Sequence, residues 1–347
     1  MSDKAIYRII DANFNRAREG LRVMEEFCRF GLNNPVLSGR AKQLRHALCK
    51  AVDQLPSEVL LCARDTVGDV GVGQVVEGQQ RRSDLVDCLT AAAKRLTEAM
   101  RALSECIQTL NPSLAAELEQ IRYQAYTLER DITVQGIPAL RFAQVRLYVI
   151  ITSNQADEVQ RLTEQCIDGG ADCIQLRAKD MEDRGSLTLA EGFVEQCRQG
   201  EVISIINDRA DIAIASGADG VHLGLSDLPV ESVRHLQHTP LIVGSTTHNF
   251  DELEKACQER PTYVALGPVF TTSTKPDLEP AGLEYVQQAI FRLDQTGLGH
   301  CVIGGITPAN VSRVLGVGAR CIVVCAAVAR SDNPKAVCSS LKKVMEC

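Results

Sequence analysis

No stretch of this 347-residue chain approaches the ~18 consecutive apolar residues that a membrane span requires, so no membrane partner is expected. Met1-Ser2-Asp3-Lys4 leads into no apolar segment of signal-peptide type, which points to the cytoplasm. Positive charge is not in excess: 37 Lys and Arg stand against 44 Asp and Glu, a formal net charge of -7. That balance excludes a nucleic-acid binder that relies on a strong overall positive field, while local basic clusters can still hold small phosphates. None of the fourteen cysteines forms a C-x-x-C pair, and Cys321 and Cys325 lie four apart on an apolar run. Reduced thiols packing as small hydrophobes fit this better than a metal or disulfide framework. There is no G-x-x-x-x-G-K-[ST] loop for ATP, and no convincing Ser-His-Asp or Cys-His constellation for a protein nucleophile.

The sequence does hold material for two domains with a sizeable core: 45% hydrophobic and 23% charged residues, in ordinary globular proportion. Residues 1–133 read as helical. Phe14, Ala17, Leu21, Met24 and Cys28 follow Asp11 at intervals of three and four, which makes one apolar helix face. Residues 36–54 and 83–110 repeat the pattern, and Pro112 opens a further helix to about Arg130. A glycine-rich break, Arg64 to Gly73, separates the second and third helices. Val134-Gln135-Gly136-Ile137-Pro138 carries helix-breaking residues, and residues 134–144 are read as a linker.

From Val145 to Cys347 the rhythm changes. Strands are expected at 145–151, 172–176, 202–206, 220–223, 241–244, 262–266, 301–304 and 320–324. Helical patterns fall between them, among them 155–168, 186–198, 249–259, 282–294 and 308–316. Eight strand-helix units in about 200 residues predict an α/β fold, a (β/α)8 TIM barrel preceded by the all-α domain. An open doubly wound sheet is the alternative, but it relies on one or two glycine-rich turns, whereas here polar groups follow nearly every strand.

Those polar groups predict a pocket for anions. Gln175, Arg177 and Lys179 alternate after the second strand, so two cations can converge on a diphosphate; a surface pair with Asp180 or Glu182 is the plainer alternative. Asn207-Asp208 and Asp227 follow the third and fourth strands and could hold Mg2+, although Asp208 could instead cap the next helix. His222 and His248 read as hydrogen-bonded structural residues. Thr271-Thr272-Ser273-Thr274-Lys275 offers hydroxyls and a cation on a long loop that could act as a lid. Gly305 and the backbone at Val324 and Cys325 suit a second phosphate after strands seven and eight.

At these residues the chain resembles the thiamine-phosphate synthase family, from about Val145 onward. The resemblance rests on Gln-Leu-Arg-Ala-Lys, Asn-Asp-Arg, Asp-Gly-Val-His-Leu-Gly with a following Asp, Gly-Pro-Val-Phe with Thr-x-Thr-Lys, and Val-Ile-Gly-Gly-Ile. It implies condensation of hydroxymethylpyrimidine diphosphate with a thiazole phosphate, yielding thiamine phosphate and diphosphate. By position, Gln175, Arg177, Lys179, Asn207, Thr246 and Lys275 would hold the pyrimidine diphosphate, with Arg177, Lys179 and Lys275 catalytic. Asp208 and Asp227 would bind one Mg2+ per barrel site, and Thr272, Ser273, Thr274, Gly305, Val324 and Cys325 the thiazole phosphate. The chain departs from the family pattern in carrying Leu225 where Gln is usual, and Thr246 and Cys325 where Ser is usual.

Residues 8–22 and the Arg64-Asp65 to Gly71 segment resemble a helical domain fused ahead of this synthase in some bacteria, linked by name to pyrimidine-phosphate kinase activity. Arg16, Arg18 and Arg22 with Asn13 and Asn15 could form an anion site, alone or shared with Asp65 and Asp69, or simply a solvated helix face or dimer contact. Two rival readings accompany the synthase: a thiazole tautomerase-like isomerase, and a non-catalytic sensor of thiamine precursors. The expected partners are the two small-molecule substrates, with no nucleic acid; the sequence leaves a homo-oligomer open.

Overall fold

A computed structural model describes residues 3–74, 81–272 and 278–346, and the chain divides into two compact units, Met1–Gly136 and Ile137–Cys347. In the first unit α1 (Asp3–Glu26) packs on α4 (Leu85–Gln108), and α2 (Pro35–Val52) on α5 (Pro112–Asp131). Ile10, Ala17, Leu21 and Met24 of α1 and Leu96, Met100 and Leu103 of α4 are buried, the stripe that their spacing predicts. Asn34 and Asn111 cap α2 and α5, each followed by proline at the first helical position, where its missing N–H costs nothing. The short α3 (Ser57–Ala63) ends at Arg64, whose guanidinium forks onto the Asp11 carboxylate at 2.8 and 2.7 Å.

The second unit is a closed parallel barrel of eight strands. The strands are β1 (Leu147–Ile151), β2 (Cys173–Leu176), β3 (Ile203–Asn207), β4 (Gly220–Leu223), β5 (Ile242–Thr247), β6 (Tyr263–Leu266), β7 (Gly299–Ile303) and β8 (Ile322–Val324). Pairing of β1 with β8, Leu147 opposite Ile322 and Val149 opposite Val324, closes the sheet and eliminates the open alternative. Every strand anticipated from the sequence is present, with ends displaced by a few residues. Helices α7 (Ala156–Asp168), α8 (Asp183–Gln199), α11 (Phe250–Glu259) and α12 (Gly282–Asp294) match the periodic segments, and α13 is shortened to Val311–Leu315. The seven-residue α9 (Ala210–Ser216) and α10 (Val230–Leu236) supply the helices expected after the third and fourth strands, whose bounds two turns are too few to show.

Alternation along the strands separates two cores. Outward residues such as Val149, Ile174, Val221, Val243 and Val302 meet the helices, whereas Tyr148, Cys173, Ile205, Ile242, Tyr263, Cys301 and Val323 fill the barrel. At the base, the Asp172 carboxylate accepts from the backbone N–H of Arg146 and Leu147, and Asp219 accepts from the N–H and hydroxyl of Ser204. These two acids pin the starts of neighbouring strands. The thirteen described cysteines are all free, seven of them buried, as small hydrophobes would be.

One sequence expectation needs correction. Residues 134–138 do not break the helix. The chain runs through a π-helical turn (Ile132–Gly136) into α6 (Ile137–Phe142), where Pro138 sits in the first turn and its lack of an N–H is harmless. The helix ends by placing Phe142 flat on Tyr263, ring centroids 4.0 Å apart and planes 5° apart, so it plugs the barrel base rather than spanning open solvent.

Gly244 on β5 leaves the space that the Tyr263 ring fills, and a Cβ there would overlap that ring. Gly244→Ala is therefore expected to lower stability by about 1–3 kcal/mol in urea unfolding, since the stacked ring has nowhere to move. Gly192→Ala, on the exposed face of α8 with open space around it, serves as the control and should raise stability by about 0.5–1 kcal/mol.

Candidate active site

The carboxyl ends of the strands enclose a cavity of about 640 Å³. Its wall includes Gln175, Arg177, Lys179, Asn207, Asp208, Asp227, Thr246, Thr272, Gly305, Val324 and Cys325. All the described candidates from the sequence are thus brought together in one place. Ser273, Thr274 and Lys275 lie outside the described residues.

Arg177 and Lys179 follow β2 directly, and among the described residues neither forms an ion pair, so the surface-pair reading does not apply. Both cations act instead on the nearby Asp208 carboxyl. Asp208 has left-handed backbone geometry, φ +62°, with its N–H donating to the carbonyl of His222 at 2.8 Å. Asp tolerates that region better than most residues, and the turn aims the carboxyl at the cavity. Capping is not its role: Arg209 occupies the cap position of α9. Asp227 folds back so that its Oδ2 accepts from the Gly224 N–H at 2.6 Å.

Asp208 and Asp227 share a side-chain hydrogen bond. Burial, that bond and the neighbouring carboxylate push the Asp208 carboxyl up to about 6, against the opposing pull of Lys179 and Arg177. Among the described residues no three His, Cys, Asp or Glu side chains converge as a metal cage. Two carboxylates alone suit a hard cation that keeps water and shares substrate oxygens, which is the habit of Mg2+.

On the opposite arc of the rim, the loop after β7 is clasped by the loop after β6. Val269 and Phe270 N–H groups donate to Ile303 and Gly304 carbonyls at 2.9 and 3.0 Å. Gly305 takes φ +64°, and a Cβ there would press on the Thr271 carbonyl at 2.5 Å, so only glycine lets these loops close together. Cys325 faces Thr152, Sγ to Oγ1 3.8 Å, just ahead of the short α14 (Ala326–Ala329). Leu225 is 56% exposed in the β4 loop at the mouth. His248 is held by Glu252, Nδ1 to Oε2 2.9 Å.

The sequence reading missed the cavity floor. Tyr148, Tyr263 and His222 form a hydrogen-bonded chain beneath it, linked to Gln175 at one end and Thr246 at the other. A tyrosine inside an apolar strand signals a buried hydroxyl in need of a partner, but only barrel closure says which.

Among the described residues of the first unit the basic candidates Arg18 and Arg22 are spent locally. Arg22 pairs with Glu26 and Glu25, Arg18 donates to Asn15, and Asn13 and Asn15 bond to carbonyls one turn back. Asp65 and Asp69 accept from N–H groups of their own loop.

A closed parallel barrel with cations, paired carboxylates and close-approach glycines at its carboxyl rim defines a phosphate-handling barrel enzyme. Comparison with known proteins agrees. The thiamine monophosphate synthase family model matches residues 147–328, and the ThiD2 family model matches residues 8–131. A thiamine-phosphate synthase of Synechocystis sp. is 39% identical over 96% of this chain and 94% of its own length. One from Rhodopirellula baltica is 36% identical over 99% and 93%. Among solved structures, a thiamine phosphate pyrophosphorylase from Pyrococcus furiosus covers 60% of this chain and 98% of its own, with 28% identity and a TM-score of 0.53. The chain belongs to the thiamine-phosphate synthase family, transferases of thiamine biosynthesis. Among the described residues no helix is long and apolar enough to cross a membrane.

The raised Asp208 has a measurable sign. Between the ordinary carboxyl value of 3.8 and about 6, the folded state keeps a proton that the unfolded state has lost, so this group's contribution to stability falls as pH rises through that window. Asp208→Asn, which keeps the left-handed turn, should raise the metal-free unfolding midpoint at about pH 8 and leave it nearly unchanged at about pH 3.5.

Proposed function

We propose that the cavity joins hydroxymethylpyrimidine diphosphate to a thiazole phosphate, releasing diphosphate and forming thiamine phosphate by a dissociative displacement. The observation that carries the mechanism is the Arg177–Lys179 couple, without an ion pair among the described residues, in one cavity with the Asp208–Asp227 carboxylates. Two cations and a carboxylate pair together fit a diphosphate better than the single phosphate of a tautomerase-like isomerase or a passive sensor.

Asp208 and Asp227 would hold one Mg2+, and their close, proton-sharing oxygens fit such an ion. Bound there, it would act as a Lewis acid that neutralises diphosphate charge. Arg177 would grip phosphate oxygens through its fork and Lys179 as a point charge, with Lys275 joining from the loop after β6. The pyrimidine would rest on Gln175, Asn207 and Thr246. Thr272, Ser273, Thr274, Gly305 and the backbone at Val324 and Cys325 would anchor the thiazole phosphate on the other side. Cys325 leaves that backbone contact intact in place of serine.

The C–O bond to diphosphate then breaks with its electron pair leaving on oxygen. The amino-substituted ring donates density to its exocyclic methylene, and the stabilised cation is captured by the thiazole nitrogen lone pair, forming the C–N bond. Such a reaction needs positioning and charge stabilisation, not a protein nucleophile.

Purified full-length protein supplied with both substrates and Mg2+ should form thiamine phosphate and diphosphate in equal amounts and stop with EDTA. Absence of product despite bound ligand would sink the synthase reading of this cavity. Lys179→Ala should lower kcat by about 10²–10³, the scale of removing one preorganised transition-state contact. Because a proton competes for Asp208, the Mg2+ concentration needed for half-maximal rate should climb as pH drops below about 6 and stay flat above about 7.

A further inference from the structure

Six side chains cross the barrel under the cavity in one unbroken hydrogen-bonded line. Thr246 Oγ1 meets His222 Nε2 at 2.9 Å, and His222 Nδ1 meets the Tyr263 hydroxyl at 3.0 Å. The Tyr263 hydroxyl meets that of Tyr148 at 3.0 Å, and Tyr148 donates to Gln175 Oε1 at 2.7 Å. Gln175 Nε2 then donates to Asn207 Oδ1 at 2.6 Å. Tyr148 and Tyr263 are almost wholly buried, and burial raises both phenols well above their usual range, so each keeps its single proton.

The links are not independent. Tyr148 gives its proton to Gln175, so its oxygen must accept from Tyr263. Tyr263 has then spent its own proton and must accept from His222 Nδ1. A neutral imidazole with its proton on Nδ1 has a lone pair on Nε2, so Thr246 must donate there. Every donor points the same way. At one end Thr246 lines the cavity, and once its proton goes to His222 its oxygen has only acceptor capacity left. At the other, Asn207 also lines the cavity, and its amide N–H groups make no hydrogen bond among the described residues.

We infer that His222 is a positioning residue held as its Nδ1–H tautomer, and that the ordered chain gives the cavity an acceptor at Thr246 and a donor at Asn207. An aminopyrimidine edge, with amino N–H donors beside ring-nitrogen acceptors, matches that pair. Reversal of the chain would present the opposite polarity at both ends and reject that edge. His222 touches neither reacting atom in this account; it orders the groups that do the reading. The inference rests on the proposed function only for the identity of the ring.

Two measurements on the full-length protein separate the layers. Nitrogen-15 NMR of histidine-labelled protein at about pH 8, with the His222 signals among the six histidines assigned by their loss in His222→Gln, should show Nδ1 protonated and Nε2 bare. This needs no turnover, so it decides the tautomer even if the reaction is assigned wrongly. An Nε2–H tautomer or an imidazolium would overturn the inference. Tyr263→Phe keeps the ring stacked on Phe142 but removes the central hydroxyl. It should raise KM for the pyrimidine diphosphate about tenfold, leave KM for the thiazole phosphate unchanged, and blur the His222 tautomer. Thr246→Val should raise the same KM, and Thr246→Ser should restore it. Equal KM changes for both substrates, or none in Tyr263→Phe and Thr246→Val, would show the chain to be mere packing.

Discussion

The hydroxyl contact between Tyr148 and Tyr263, enclosed inside the barrel, is the constraint on which the floor of the site depends. Both rings are fully buried, so each oxygen must find partners within the protein or cost several kilocalories of desolvation. That requirement draws in His222 and Gln175, and through them Thr246 and Asn207. The space for the arrangement comes from the bare backbone of Gly244, and its support from Phe142 stacked below Tyr263. Packing at the base of the barrel and polarity at its mouth are therefore one problem.

Above that floor the electrostatics are deliberately unbalanced. Asp208 and Asp227 repel each other, and Asp208 answers by holding its proton to about pH 6. Among the described residues Arg177 and Lys179 remain without ion-pair partners of their own. A site so arranged is less stable alone than it would be with neutral side chains, and it gains most from a ligand that brings both negative phosphate and positive metal. The left-handed turn at Asp208 is part of the same arrangement, since it holds the carboxyl on the cavity instead of over the next helix.

The helical unit follows a different logic. Its polar residues, including the Asp11–Arg64 fork, are largely spent on one another and on local carbonyls. Its match to the ThiD2 family shows kinship for residues 8–131, and relatives that align over nearly the whole chain carry the same two parts in tandem.

Much of this protein was legible in one dimension. Eight strands showed through because short β-rich runs alternate with helical patterns, and the long helices because their apolar residues recur every three to four positions. The rim residues were legible because a parallel barrel must place whatever follows its strands on one face. What stayed hidden depended on partners far apart in sequence. Helices of two turns were too short to show their bounds, and the proline of α6 read as a break when it was a first turn. Asp208 read as a cavity carboxylate with a helix cap as the alternative, and only the structure puts Arg209 at the cap position. The Thr246–His222–Tyr263–Tyr148–Gln175–Asn207 chain could not be read at all: it joins six strands, and only closure of the barrel brings those hydroxyls, ring nitrogens and amides within hydrogen-bond reach. Sequence determined which groups stand at the strand ends, through local periodicity. Tertiary structure decided which of them share protons, because hydrogen bonding depends on distances that local periodicity does not encode.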